Sequence, residues 1–291
     1  MTMDETKAKY LEVLRGLRIM DDVFMNEFVK RDAENGYKAL NIILKALTGL
    51  DLKVRSAKVQ SVQVGAGGRE VWLDIEAEDE DGRIFDLEMQ RAAGKDLPQR
   101  AVLHASTIIT NNVHKGDGFE KVPEVWVIFV TETDTVGDGK ASHHYQLRDE
   151  DGKLLGDPLH IVKVNGQFKG TNTLEGRVIH DIMTVDPQEI LVPEIQEPFA
   201  ALKDSEKGKR VMTEALQQLI DEEREESHEE GRELGLEEGR ELGREEGARE
   251  KTEKVVRNLA AAGLPFEQIV AFADAAADEV QKIIDCAGPV N

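Results

Sequence analysis

Cysteine is almost absent: Cys286 is the one example in 291 residues. That excludes a disulfide framework and any zinc site built on cysteine pairs. Basic charge is short as well, with 37 Lys and Arg against 58 Asp and Glu and a net charge of −21. The balance excludes a polybasic coat for nucleic acid, though not a single local site that holds metal and nucleic acid together. Long hydrophobic runs are missing, since the longest is Val125–Val130, far short of a membrane span. The first residues, MTMDETKAKY, contain no apolar core of signal-peptide length. These absences predict a cytoplasmic chain with no membrane partner. Apolar residues make up 40% and charged residues 33%, enough for one or two domains with a real core.

The apolar spacing predicts helices over residues 1–20, two more over 21–49, and another over 97–112. Valine-rich alternation marks residues 52–64 as strand, and the unbroken run at 124–131 reads as a central strand covered on both faces. Residues 133–175 are rich in Gly and Asp with short strands. Residues 176–200 are interrupted by Pro187, Pro193 and Pro198.

The most informative stretch is 71–91. Val71, Leu73, Ile75 and Ala77 alternate with polar residues, as do Phe85, Leu87 and Met89. Between them Asp79-Glu80-Asp81-Gly82 is a strong turn. A hairpin that keeps the apolar faces together pairs Leu73 with Met89, Ile75 with Leu87 and Ala77 with Phe85. That register sets Asp74 opposite Glu88 and Trp72 opposite Gln90, so two carboxylates and an amide share one face. Opposed like charges destabilise a sheet unless something neutralises them. Two readings are open: a solvated acidic face, or a divalent-cation site of hard oxygen ligands. Trp72 is expected to be buried under a neighbouring helix. Lys53, Arg55, Lys58, Arg69, Arg91, Lys95 and Arg100 form a local basic excess around the motif.

The tail is a separate unit. An eight-residue repeat runs EEGRELGL, EEGRELGR, EEGAREKT from position 229, with glycines at 231, 235, 239, 243 and 247. Each glycine costs about 1 kcal/mol relative to Ala, so the repeat predicts a marginal isolated helix and a stripe on which a second helix could approach. Short helices are expected at 255–262, 266–277 and 278–285, with Gly263 and Pro265 between the first two.

The ordered set Asp22-Val23-Phe24, Leu73-Asp74-Ile75, Glu88-Met89-Gln90-Arg91, Arg100-Ala101 and Val127-Ile128-Phe129-Val130 resembles the PD-(D/E)XK nuclease family transposases, the branch related to recombination-promoting (Rpn-like) nucleases. The resemblance covers roughly residues 18–226. It implies an α/β (α+β) restriction-endonuclease-like fold, a mixed central sheet of four or five strands flanked by helices. The division expected is a nuclease core at 1–132, a β-rich extension at 133–204, a repeat helix at 205–254 and a small helical module at 255–291. The resemblance implies a metal-dependent DNA endonuclease with a transposase-like or recombination-promoting role, using Mg²⁺ or Mn²⁺ and assembling as a homo-oligomer through the repeat helix. Asp74 and Glu88 would ligate the metal, joined by the backbone carbonyl of Met89. Gln90 stands where the superfamily usually has lysine; an amide orients water but carries no charge. Asp22, Glu27, Gln60 and Arg100 are accessory candidates, Asp22 also reading as a helix N-cap and Arg100 as a replacement for the missing lysine charge. Relatives usually carry tyrosines where this chain has Leu103 and His104. The other reading is a weak or inactive nuclease scaffold that binds nucleic acid or protein.

Overall fold

The computed structural model describes residues 3–65, 67–91, 96–156 and 158–286; Lys95 lies outside them. Three helices open the chain, α1 (Met3–Gly16), α2 (Asp22–Ala33) and α3 (Lys38–Thr48). The last stops where Gly49 takes φ 77, the left-handed cap that glycine enters without a Cβ penalty. Strands β1 (Val54–Val64), β2 (Glu70–Asp79) and β3 (Ile84–Gln90) follow as an antiparallel meander. Helix α4 (Leu97–Asn111) then crosses to β4 (Val125–Thr131), and β5 (Ser142–Tyr145) and β6 (Leu159–Asn165) come next. All six strands form one sheet in the order β1-β2-β3-β4-β6-β5, with β3, β4 and β6 parallel. The architecture is the mixed α/β, restriction-endonuclease-like one, with six strands where four or five were expected. The extra ones come from the Gly- and Asp-rich stretch after 133, which extends the sheet beside β4.

Helices cover both faces. On one, α1 to α3 pack with α5 (Leu174–Met183) and α6 (Pro193–Lys203) over Ile75, Phe85, Leu87, Ile128 and Val130. On the other, α4 lays Ala101, Ala105 and Ile108 on Val125, Val127 and Phe129. Strand β4 is buried along its whole length because it meets both layers. Pro198 lies inside α6 instead of breaking it; Pro193 starts that helix, where no N–H is needed.

Strand β2 turns over in its middle. Ile75 and Ala77 pack with Met89 on the α1–α3 side, whereas Val71 and Leu73 pack on the α4 side. All four have the same parity, so the alternation must reverse between Leu73 and Ile75. The β1–β2 register skips Gln60 and Asp74 at that point, and Gln60 holds φ 50. The β2–β3 ladder follows the expected register from Ile75↔Leu87 to Glu78↔Ile84 and ends there. Leu73 and Met89 therefore belong to different cores, and Trp72 is not paired with Gln90. Trp72 is 61% exposed instead of buried under a helix.

The chain divides into two compact units, Met1–Leu219 and Ile220–Asn291. Helix α7 (Glu206–Ala261) runs through the division as one helix of 56 residues, so the glycine repeat does not interrupt it. Between 229 and 250 every residue other than glycine is Glu, Arg, Leu or Ala, all strong helix formers. The expected short helix at 255–262 is the end of α7. After it, Gly263 at φ 78 turns the chain into α8 (Phe266–Ala273) and α9 (Ala277–Cys286). Val256, Ile269 and Val280 form the small core of this second unit.

Candidate functional site

Strand β3 reads Ile-Phe-Asp-Leu-Glu-Met-Gln, and residues 84–89 are all buried. Its odd positions enter the apolar core, so Asp86 and Glu88 must face α4. Two carboxylates are thereby placed in a nearly dry layer, where burial of charge is costly unless it is paired. Helix α4 answers with Arg100 and His104, four residues apart and on one face.

Asp74 and Glu88 are joined reciprocally through the backbone. The Asp74 amide donates to Glu88 Oε1 at 3.0 Å, and the Met89 amide donates to Asp74 Oδ2 at 2.7 Å. These carboxylates take amides that a continuing ladder would have used, which accounts for the ladder ending at Ile75↔Leu87. Gln90 Nε2 points to Glu88 Oε2 at 3.4 Å, and its Oε1 accepts from Arg100 at 2.8 Å. The Arg100 guanidinium also reaches Glu88 Oε2 at 3.5 Å and lies over the Phe129 ring, 5.6 Å from its centroid. Behind Glu88, His104 Nδ1 sits 2.9 Å from Asp86 Oδ2 and 3.8 Å from Glu88 Oε1.

The electrostatics follow from burial and crowding. Burial, then the neighbouring Glu88, push Asp74 up to about 7, with Asp22 adding to the rise and the Met89 amide and Arg100 opposing it. Burial, then Asp86, push Glu88 up to about 8. Asp86 is raised well above the ordinary carboxylate range, again chiefly by burial. Burial holds His104 below its usual value, although Glu88 works against this. Carboxylates so poised either hold protons or await a cation.

The structure thus gathers Asp74, Glu88, Gln90 and Arg100 at one place. Met89 contributes its amide and buries its side chain in the core. Asp22 is close enough for its charge to act on Asp74. It is the first residue of α2 and not the cap, which is Asp21. Gln60 is exposed on β1, at the point of the strand where the register skips Asp74. Glu27 pairs with Lys30 at 2.7 Å and lines a cavity with Ala201 and Gly208, and none of these contacts is with the Asp74–Glu88 group. Much of the basic excess is neutralised: Lys53 pairs with Glu80, Arg55 with Glu78, Lys58 with Glu76 and Arg91 with Asp21.

Asp86 and His104 escaped the sequence reading as site residues. The signal was present in the polar positions 86, 88 and 90 of a strand beside the wholly apolar β4, and in a histidine one helical turn after Arg100. Asp86, Glu88 and His104 offer ligand atoms within 4.8 Å of one another. No helix among the described residues is long and apolar enough to cross a membrane.

No curated protein and no solved structure matches the chain. Residues 37–172 match the family model described as PD-(D/E)XK nuclease family transposase. That span contains β1 to β6, α4 and all of Asp74, Glu88, Gln90 and Arg100. Over this segment, a little under half of its length, the chain is similar to the PD-(D/E)XK nuclease family transposases.

Proposed function

We propose that the protein is a metal-dependent DNA endonuclease of transposase-like or recombination-promoting role. The observation that carries the reading is the convergence of Asp74, Glu88, Gln90 and Arg100 at the end of β3. The donor set suits a hard divalent cation: two carboxylates, each with one oxygen held by a backbone amide, the second oxygen of Glu88 having only the long contacts to Gln90 and Arg100 at 3.4 and 3.5 Å. Asp74 and Glu88 would hold Mg²⁺ or Mn²⁺, with the backbone carbonyl of Met89 beside them. Bound there, the ion supplies Lewis-acid polarisation of a phosphodiester.

The chain's own groups do the rest. Gln90 is oriented from both ends, its Oε1 by Arg100 and its Nε2 by Glu88, so its amide can align an attacking water. Arg100 supplies the positive charge that glutamine lacks and presents a planar donor fork to a phosphate. Asp22 and Gln60 border the site, and Glu27 has no part in it. The open stripe of Gly231, Gly235, Gly239, Gly243 and Gly247, with nothing within 4 Å of an added Cβ, supports self-association through α7.

One observation favours a second reading, a nuclease scaffold that binds without cutting. The basic side chains of β1 are spent on glutamates of the neighbouring strand and turn, which weakens any DNA groove there. Plasmid cleavage in Mg²⁺ or Mn²⁺ decides. Nicking by wild type that is lost in both Asp74→Ala and Glu88→Ala supports the nuclease. Equal silence of all three proteins, with metal binding unchanged in Asp74→Ala, supports the scaffold.

A further inference from the structure

Glu88 has a second set of neighbours. The oxygen that accepts the Asp74 amide, Oε1, also faces His104, and His104 in turn meets Asp86; these two come from α4 and β3 and are 4% and 0% exposed. Asp86 Oδ2 lies 2.9 Å from His104 Nδ1, while its other oxygen, Oδ1, is buried with no hydrogen-bond donor in range. A buried carboxylate oxygen without a partner forfeits its hydration for nothing. Ionised together, Asp86 and Glu88 would put two negative charges in this layer, and Arg100 makes its ion pair with Glu88. A dication held between them would offset both.

The spacing fits an ion. Donors bound to one metal at about 2.0–2.2 Å stand roughly 3–4 Å from each other. His104 Nδ1 is 2.9 Å from Asp86 Oδ2 and 3.8 Å from Glu88 Oε1, and all three ligand atoms lie within 4.8 Å of one another. A nitrogen donor changes which ion is preferred. Mg²⁺ takes oxygen and water, whereas imidazole suits zinc and its neighbours in the first transition row. Of the groups around Glu88, Arg100 is the one partly open to solvent, its side chain 35% exposed.

We propose that Asp86, Glu88 and His104 form a second cation site, selective for a transition-metal dication such as Zn²⁺, beside the oxygen-only Asp74–Glu88 pair. It shares Glu88 with the nuclease reading and rests on that reading for nothing else. The ion ties α4 to β3, and by holding one oxygen of Glu88 it fixes the geometry that the carboxylate presents to Asp74.

The test is Zn²⁺ titration by calorimetry, with Co²⁺ followed by its visible absorption, on full-length protein carrying Cys286→Ser. That background removes the exposed thiol, an unrelated zinc ligand. The expected result is one tight equivalent. His104→Gln and the isosteric Asp86→Asn each weaken Zn²⁺ at least about tenfold and alter the Co²⁺ spectrum, while Asp74→Asn leaves both within about threefold. Circular dichroism confirms that each variant is folded. The proposal is overturned if wild type binds no Zn²⁺. It is also overturned if folded His104→Gln and Asp86→Asn bind as wild type does, or if Asp74→Asn loses as much as they do. Cleavage takes no part in the readout, so an inactive enzyme leaves this site standing, and loss of Zn²⁺ binding leaves the Asp74–Glu88 assignment standing.

Discussion

The Asp74 amide donates to the Glu88 carboxylate at 3.0 Å, and the amide following Glu88 donates to the Asp74 carboxylate at 2.7 Å. Each acidic residue is held by the other's strand. Neither side chain can swing away without releasing a backbone donor, so the pair is preorganised before any ligand arrives. Its cost is two carboxylates kept close together and largely out of water.

That cost sets a pH dependence. Asp74 rises from 3.8 to about 7 and Glu88 from 4.5 to about 8 on folding. Below the unfolded values both states are protonated and no penalty exists. Between those values and about 7 and 8 the unfolded state has lost protons that the folded state still holds, so stability falls as pH rises across that interval and levels off once the folded state deprotonates as well. For Glu88 the loss is on the order of 4 kcal/mol. The thermal midpoint of the metal-free protein is expected to drop between pH 5 and pH 8.5. Glu88→Gln should flatten most of that slope, and Mg²⁺ should restore the midpoint at the alkaline end.

Gln90→Lys is expected to slow the proposed cleavage, even though lysine is the usual residue of the superfamily that the sequence resembles. Gln90 Oε1 accepts from Arg100 at 2.8 Å; an ammonium placed there removes that acceptor and sets a second cation against the guanidinium, with both competing for Glu88 Oε2. Single-turnover nicking should fall about tenfold or more, a loss of roughly 1.4 kcal/mol or greater in the transition state. Adding Arg100→Gln should recover part of it. A faster Gln90→Lys on its own would contradict this geometry.

Lys203 is a buried strut. Its ammonium donates to the carbonyl of Arg15 at 3.1 Å and to that of Val185, and lies over the rings of Phe24 and Phe199. Burial lowers its pKa to about 8, against the pull of Asp21, Asp186 and Asp204. Lys203→Met leaves two carbonyls unsatisfied and should cost about 1–3 kcal/mol. The urea midpoint measures it, with cleavage per folded molecule unchanged.

A chain ending at Leu219 should fold. Met212 and Leu216 are the last α7 residues in the main core, and the boundary between the compact units falls just after them. The truncated protein should retain metal binding and nicking and sediment as a monomer, whereas the full chain should be larger than one copy.

Much of the local structure could be read directly. Val125–Thr131 announced a strand covered on both sides, Asp79–Gly82 announced the hairpin, and alternation alone paired Ile75 with Leu87. Asp74, Glu88 and Gln90 stood out for the same reason: they are polar positions in strands whose other face is apolar. The repeat helix expected at 205–254 lies within α7, which continues through 255–261 in place of a separate short helix.

The sequence by itself determined the two periodicities, and with them the strands, the helices and the acid-bearing hairpin. Only the tertiary structure decided that β2 reverses its faces at Asp74, because a carboxylate there takes over a backbone donor, a choice invisible to a pattern of period two. Only the tertiary structure brought Arg100 and His104 onto β3. They lie ten or more residues beyond Gln90, and nothing local specifies which strand a helix covers. That depends on which apolar faces are left to bury, and burying Ala101 and Ala105 against β4 is what sets the guanidinium and the imidazole over Glu88.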